Sequence, residues 1–193
     1  MATTNPTDPN KIRLTGENSF IRLSDPSSNQ ETTRSSHWRV LWSPGGAGHV
    51  LFFQSYLTDN EVRIYSDNIA LARWLQDEIE SMLYPAFADQ SMQILEAEFG
   101  KKGDPNTFWT ETIESDDDVI AMTWHDFMEP YMLVVPAGSS ERPHGVYSCF
   151  IPARKAQLTI NGDVASGVVS TDRRGDKDSS SACLAWSETW VRP

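Results

Sequence analysis

From His37 onward, apolar residues recur at every second position in short runs, and nearly every run is closed by Gly, Pro, Asn or Asp. Successive side chains of a β-strand point to opposite faces, so this period fits strands that each bury one face. The runs are His37–Trp42, His49–Leu57, Glu61–Tyr65, Thr107–Glu114, Val119–Phe127, Tyr131–Val135, Val146–Ile151, Ala156–Ile160, Asp163–Val169 and Ala182–Val191. Ser43-Pro-Gly-Gly-Ala-Gly48, Thr58-Asp-Asn60 and Asp116-Asp-Asp118 read as turns between them. Asn161-Gly162 is the strongest hairpin signal, because both residues accept positive φ.

Helical spacing is clear in one place. Ile69, Leu71, Ala72, Leu75, Ile79, Met82 and Leu83 recur on one face, with Asp67 or Asn68 as cap and Pro85 as stop. Asp77, Glu78 and Glu80 are assigned to the wet face of this helix. Residues 86–99 read as either a strand or a short helical piece, and the polar stretch Asp172–Ser181 as an exposed loop. Residues 1 to about 36 are rich in Ser, Thr, Asn, Asp and Pro, with Lys11–Leu14 and Ser19–Leu23 as short strand-like interruptions; residues 1–18 read as a flexible arm that adds little stability, and residues 19–193 as a single β-barrel-like domain.

The expected class is therefore all-β and mainly antiparallel: a calycin-like closed barrel, or a strongly curved sheet, with one packed amphipathic helix. The resemblance to calycins is architectural, since the Gly-x-Trp signature of lipocalins is missing from the first strand.

A formal charge of −11 disfavours both a nucleic-acid backbone and an anionic membrane surface as partners. No stretch approaches the roughly 20 apolar residues of a membrane helix, and the N-terminus lacks a secretory pattern. Cys149 and Cys183 sit among apolar neighbours and read as buried free thiols, which places the chain in the cytoplasm.

Three times a tryptophan stands two residues before an acid: Trp109-Thr-Glu111, Trp124-His-Asp126 and Trp186-Ser-Glu188. On a regular strand each pair shares a face, and that face is the bulkier one on all three strands. Closing the sheet would bring the three faces together as a central pocket. Its expected walls are Trp109, Trp124 and Trp186, with Trp42 and Tyr147 added. Glu111, Asp126 and Glu188 are its expected catalytic acids, with His125 as a proton relay. The plainer alternative puts each acid at a strand end, in water or paired with Arg39, Arg63 or Arg154.

Such a pocket suits a cyclic, sugar-like or cationic small molecule. The function expected from it is cofactor-independent proton transfer of lyase, isomerase or hydratase type. The alternative is lipocalin-like ligand binding without catalysis, and a homodimer is the remaining partner expectation. His-x-His and His-Glu-x-x-His spacings are missing, so no metal site is expected. The glycine turn at 43–48 opens no helix and is not a phosphate loop.

Overall fold

The computed structural model describes residues 8–139 and 142–193. Four strands open the chain as an antiparallel meander: β1 (Ile12–Ser24), β2 (Glu31–Trp42), β3 (Gly48–Ser55) and β4 (Val62–Ser66). A helical segment follows. It begins as α1 (Ile69–Leu75), widens into a π turn (Gln76–Glu80) and ends as α2 (Ser81–Leu83). Asn68 caps it, its side-chain oxygen accepting the Leu71 N–H at 3.2 Å.

The second half holds β5 (Ile94–Glu96), β6 (Glu98–Asp104), β7 (Phe108–Glu114), β8 (Val119–Phe127) and β9 (Tyr131–Val135). The long β10 (Gly145–Ile160) comes next, then β11 (Asp163–Val164), β12 (Thr171–Arg174), β13 (Lys177–Ser180) and β14 (Ala182–Val191). The main sheet runs β5-β4-β3-β2-β1-β14-β10-β8-β7-β6. Its two ends, β5 and β6, are consecutive pieces of one chain segment joined at Ala97, so the sheet curls into a nearly closed barrel. Only β4 and β5 pair in parallel among the described residues.

Two apolar faces result. The barrel interior packs Ile21, Leu51, Phe53, Trp109, Met122, Trp124, Leu158 and Leu184. On the outside, Leu14, Trp38, Val50, Phe52, Ile64 and Trp190 lie beneath Leu71, Leu75 and Ile79 of the helix. The helix thus covers a sheet face that would otherwise be an exposed apolar patch.

Several sequence expectations change here. Of the expected arm, residues 1–7 lie outside the described residues, while residues 12–18 form the first half of β1, between β2 and β14, with Leu14 fully buried. The stretch reads as loose because its buried positions include polar residues that are bonded inside the fold, such as Asn18 to the His37 carbonyl. Val146–Ile151 and Ala156–Ile160 are one strand. Pro152 does not break it, because β9 pairs with β10 up to Phe150 and β8 takes over at Ala153, so no ladder hydrogen bond is needed from Pro152 on that edge. The expected loop at 172–181 is largely the β12–β13 hairpin, with Ser179 and Ser180 buried and the Tyr131 hydroxyl 3.0 Å from Ser179 Oγ. Asp163–Val169 forms a strand only over its first two residues, with an isolated antiparallel bridge from Val168 to Ser24. The ambiguous stretch at 86–99 ends in β5 and the start of β6.

Candidate functional site

A cavity of about 490 Å³ opens between the helical segment and the outer wall of the barrel. Phe20, Phe150, Val146 and Trp190 form its sheet side, and Leu83, Tyr84 and Phe87 its helix side. Two glutamates line it, each buried to within a few per cent: Glu80 from the helix and Glu188 from β14.

Both arrive through a one-residue irregularity. In a regular α-helix Glu80 would fall on the flank, which is why its spacing reads as solvent-facing. The π turn at 76–80 holds more residues per turn and swings Glu80 inward beside Gln76 and Ile79. On β14, Ser187 adopts φ +53°, and the register against β1 and β10 slips at that point. This bulge reverses the alternation. Trp186 stays with the barrel interior, its ring 5.2 Å from that of Trp109, whereas Glu188 and Trp190 turn to the outer cavity.

Each carboxyl is fixed by an indole. Trp190 Nε1 donates to Glu188 Oε1 at 2.6 Å, and Trp38 Nε1 donates to Glu80 Oε1 at 2.7 Å. Ser36 Oγ donates to the same Glu80 oxygen at 3.0 Å, leaving Oε2 without a bonded partner among the described residues. Burial pushes Glu80 up to about 7, against hydrogen bonds from Trp38 and Ser36 and the charges of Arg22 and Arg34. Burial also pushes Glu188 up to about 7, against hydrogen bonds from Trp190 and Ser148, with the charge of Glu80 adding to the rise. The two carboxyls therefore titrate near neutrality and feel each other.

His144 completes the polar lining. Its Nε2 lies 3.0 Å from Glu78 Oε1, while its Nδ1 is buried without a hydrogen-bond partner among the described residues. Four arginines, Arg22, Arg34, Arg142 and Arg174, also line the cavity.

The predicted central pocket is redistributed over three places. Trp109 and Glu111 do share the barrel interior, as their spacing implies, with Trp109 Nε1 donating to Glu111 Oε1 at 2.9 Å. Ser19 Oγ donates to the same carboxylate at 3.0 Å, and His37 Nδ1 lies 2.7 Å from its other oxygen. Burial pushes Glu111 up, but the charge and hydrogen bond of His37 and the bonds from Trp109 and Ser19 hold it below the usual carboxylate range. Glu111 stands between serine and imidazole, so Ser19 is not activated as a nucleophile by His37. A small cavity of about 100 Å³ adjoins this cluster, bounded by His49, Phe99 and Lys101.

Asp126 is the second departure. It takes φ +57° at the end of β8 and sits in solvent, 3.5 Å from Arg154 and 3.7 Å from Lys155. The strand-end alternative describes it correctly. Trp124 remains fully buried in the barrel, its Nε1 donating to the Phe20 carbonyl at 3.1 Å. His125 is half-buried on the opposite face of β8, away from both carboxyl sites. Trp42 is exposed at the end of β2, and Tyr147 is half-buried outside the lining of the large cavity.

Glu80, His144 and the arginines were not among the expected site residues. Glu80 was hidden by the π turn, and His144 follows Pro143 with no strand pattern to place it. Among the described residues no group of three or more His, Cys, Asp or Glu side chains could hold a metal ion. No helix among them is long and apolar enough to cross a membrane. No protein-family model, curated protein or solved structure matches the chain.

Proposed function

We propose that the chain binds a small molecule in the cavity between helix and barrel wall and moves a proton on it, with Glu80 and Glu188 as the exchanging groups. The observation that carries this reading is the convergence of two backbone irregularities, each delivering one buried carboxyl to the same cavity. Bulges of both kinds concentrate at functional sites because they re-aim a side chain at a cost in regular hydrogen bonding. A pair of carboxyls titrating near pH 7 is suited to take a proton from one ligand atom and return it to another. Chemistry of the lyase, isomerase or hydratase kind needs no organic cofactor for this.

The indole bonds favour a second reading, a calycin-like carrier. Each carboxyl already accepts an N–H from the wall, as it would in a site that only orients a ligand. Two free cysteines, with the Cys183 thiol pushed up by burial, support a reducing, cytoplasmic setting for either reading.

Proton exchange separates the two. The chain is incubated in deuterium oxide with a panel of small carbonyl compounds, alcohols and acids, and label is read by mass spectrometry. Ligands are scored in parallel by thermal shift. Proton transfer predicts label in at least one stabilising ligand, with Glu80→Gln or Glu188→Gln lowering the rate about 100-fold or more. Stabilisation without label, in wild type and variants alike, would leave only the carrier.

A further inference from the structure

We propose that the ligand of this cavity is an organic anion with an apolar body, its acid group held between the guanidiniums of Arg22 and Arg174. The inference rests on the cavity being the ligand site, and it adds the chemical class that the site selects.

On the sheet side of the cavity Phe20 and Phe150 meet edge to face, with ring centroids 6.1 Å apart. The Arg22 guanidinium carbon stands 5.2 Å from the centroid of Phe20, and that of Arg174 stands 5.4 Å from Phe150. Each ring of one aromatic pair thus carries a cation, and the two cations are near enough for the charge of Arg174 to act on Arg22. Neither guanidinium has a hydrogen-bonded or ion-paired carboxylate among the described residues. Arg34 differs: its fork is closed on Glu31 by two bonds of 2.7 Å, so its charge is already matched.

Holding Arg22 there is unfavourable without a bonded counter-charge. Burial pushes its pKa down first, and the charges of Arg34 and Arg174 push it further, while Glu31 and Glu80 oppose. The chain has a formal charge of −11, yet none of the acids among the described residues is bonded to these two arginines. An incoming anion supplies the missing counter-charge. Guanidiniums are planar forks that suit carboxylate, sulfonate and phosphate groups.

The rest of the lining sets the body of the ligand. Phe20, Phe150 and Trp190 offer apolar and aromatic surface that a bare inorganic anion would leave unused. A volume of about 490 Å³ is that of a site for an ordinary small organic molecule. A cationic ligand, the natural expectation from indoles beside acids, is disfavoured here, because guanidiniums already cover the ring faces of Phe20 and Phe150.

The test compares two fluorescent probes, 8-anilinonaphthalene-1-sulfonate and N-phenyl-1-naphthylamine, which share a ring system and differ in the sulfonate. Each is titrated into wild type, Arg22→Met and Leu133→Trp, the last narrowing the cavity from β9. Circular dichroism and melting temperature confirm that each variant is folded. The proposal predicts that wild type binds the sulfonate at least about tenfold more tightly than the neutral probe. Arg22→Met should abolish that preference while leaving the neutral probe within about twofold, and Leu133→Trp should weaken both. Equal affinity for the two probes in wild type, or an unchanged preference in Arg22→Met, would overturn the anion assignment and leave the cavity standing as a site. If neither probe binds, or Leu133→Trp affects neither, the cavity itself is not the ligand site and both proposals fall.

Discussion

Trp190 donates its indole N–H to Glu188, two residues earlier on the same strand, at 2.6 Å. In the barrel interior Trp109 does the same for Glu111, two residues later, at 2.9 Å. Twice on this scaffold a tryptophan and an acid two residues apart form a unit, but Glu188 belongs with Trp190 and not with Trp186. The bulge at Ser187 decides which.

Glu80 and Glu188 should make the fold less stable as pH rises. Both carboxyls titrate near 7 when folded, against 4.5 as the ordinary value. Their contribution is fully present below 4.5 and is lost as pH rises through 7. At about 1.4 kcal/mol per pH unit, each group accounts for roughly 3 kcal/mol across that window. Urea unfolding at pH 5 and pH 8 checks this. Glu80→Gln and Glu188→Gln should each flatten the profile and be more stable than wild type at pH 8. A profile that stays unchanged in both variants contradicts the assignment.

Glu78 and Glu111 act in the opposite sense. Burial pushes Glu78 up, but hydrogen bonds from Arg13, Arg192 and His144 hold it at about 2, and Glu111 is likewise held low. Their stabilisation is present above 4.5 and disappears as pH falls below it. Stability should therefore peak near pH 5 and fall on both sides. A monotonic profile from pH 3 to pH 8 would argue against these opposed pairs.

Glu78 ties the helix to the barrel. Arg13 of β1, His144 before β10 and Arg192 after β14 all converge on it. Glu78→Gln is expected to cost about 1–3 kcal/mol, the lower end reflecting the exposure of Arg192. Hydrogen exchange should show the loss concentrated in residues 69–83, since the barrel does not depend on this contact.

Glu111→Ala should cost more, about 3–5 kcal/mol, because it leaves His37, Ser19 and Trp109 without their shared acceptor inside the barrel. Thermal unfolding measures it. A cost below 1 kcal/mol would mean that water replaces the carboxylate and that the cluster is open to solvent.

Deleting residues 1–18 should unfold the protein. It removes half of β1, the strand that joins β2 to β14, together with fully buried Leu14. Leu14→Ala alone should cost about 2–5 kcal/mol. A truncated chain with an unchanged melting temperature would show that β14 can pair without β1.

Strands are legible in this sequence where one face is apolar and the other polar, as in β2, β7 and β8, and where a short apolar run buried on both faces is bounded by turn residues, as in β3. The Asn161-Gly162 turn is equally plain, since both residues take the positive φ it demands, +53° and +90°. β6 escapes detection because Glu98-Phe-Gly-Lys-Lys-Gly-Asp104 lies at the barrel seam with most of its residues exposed, so little alternates. The site is half legible. Glu111 with Trp109 follows from side-chain parity alone. Glu188 is found by type and lost by position, because parity fails at a bulge that Ser187 does not announce. Glu80 is lost for the parallel reason in a helix. Periodicity locates regular structure, and both cavity carboxyls are placed by departures from it.

Each departure is about one residue long, the size of a single-codon insertion. With every residue kept, a β14 of unbroken alternation would enclose Glu188 among the tryptophans of the barrel, and a regular helix would return Glu80 towards water. The strand order, the barrel and most of its core would survive both changes. Deleting Ser187 does not reverse the change: it sets Glu188 directly after Trp186, on the opposite face, so the acid stays on the cavity side while the ladder becomes regular.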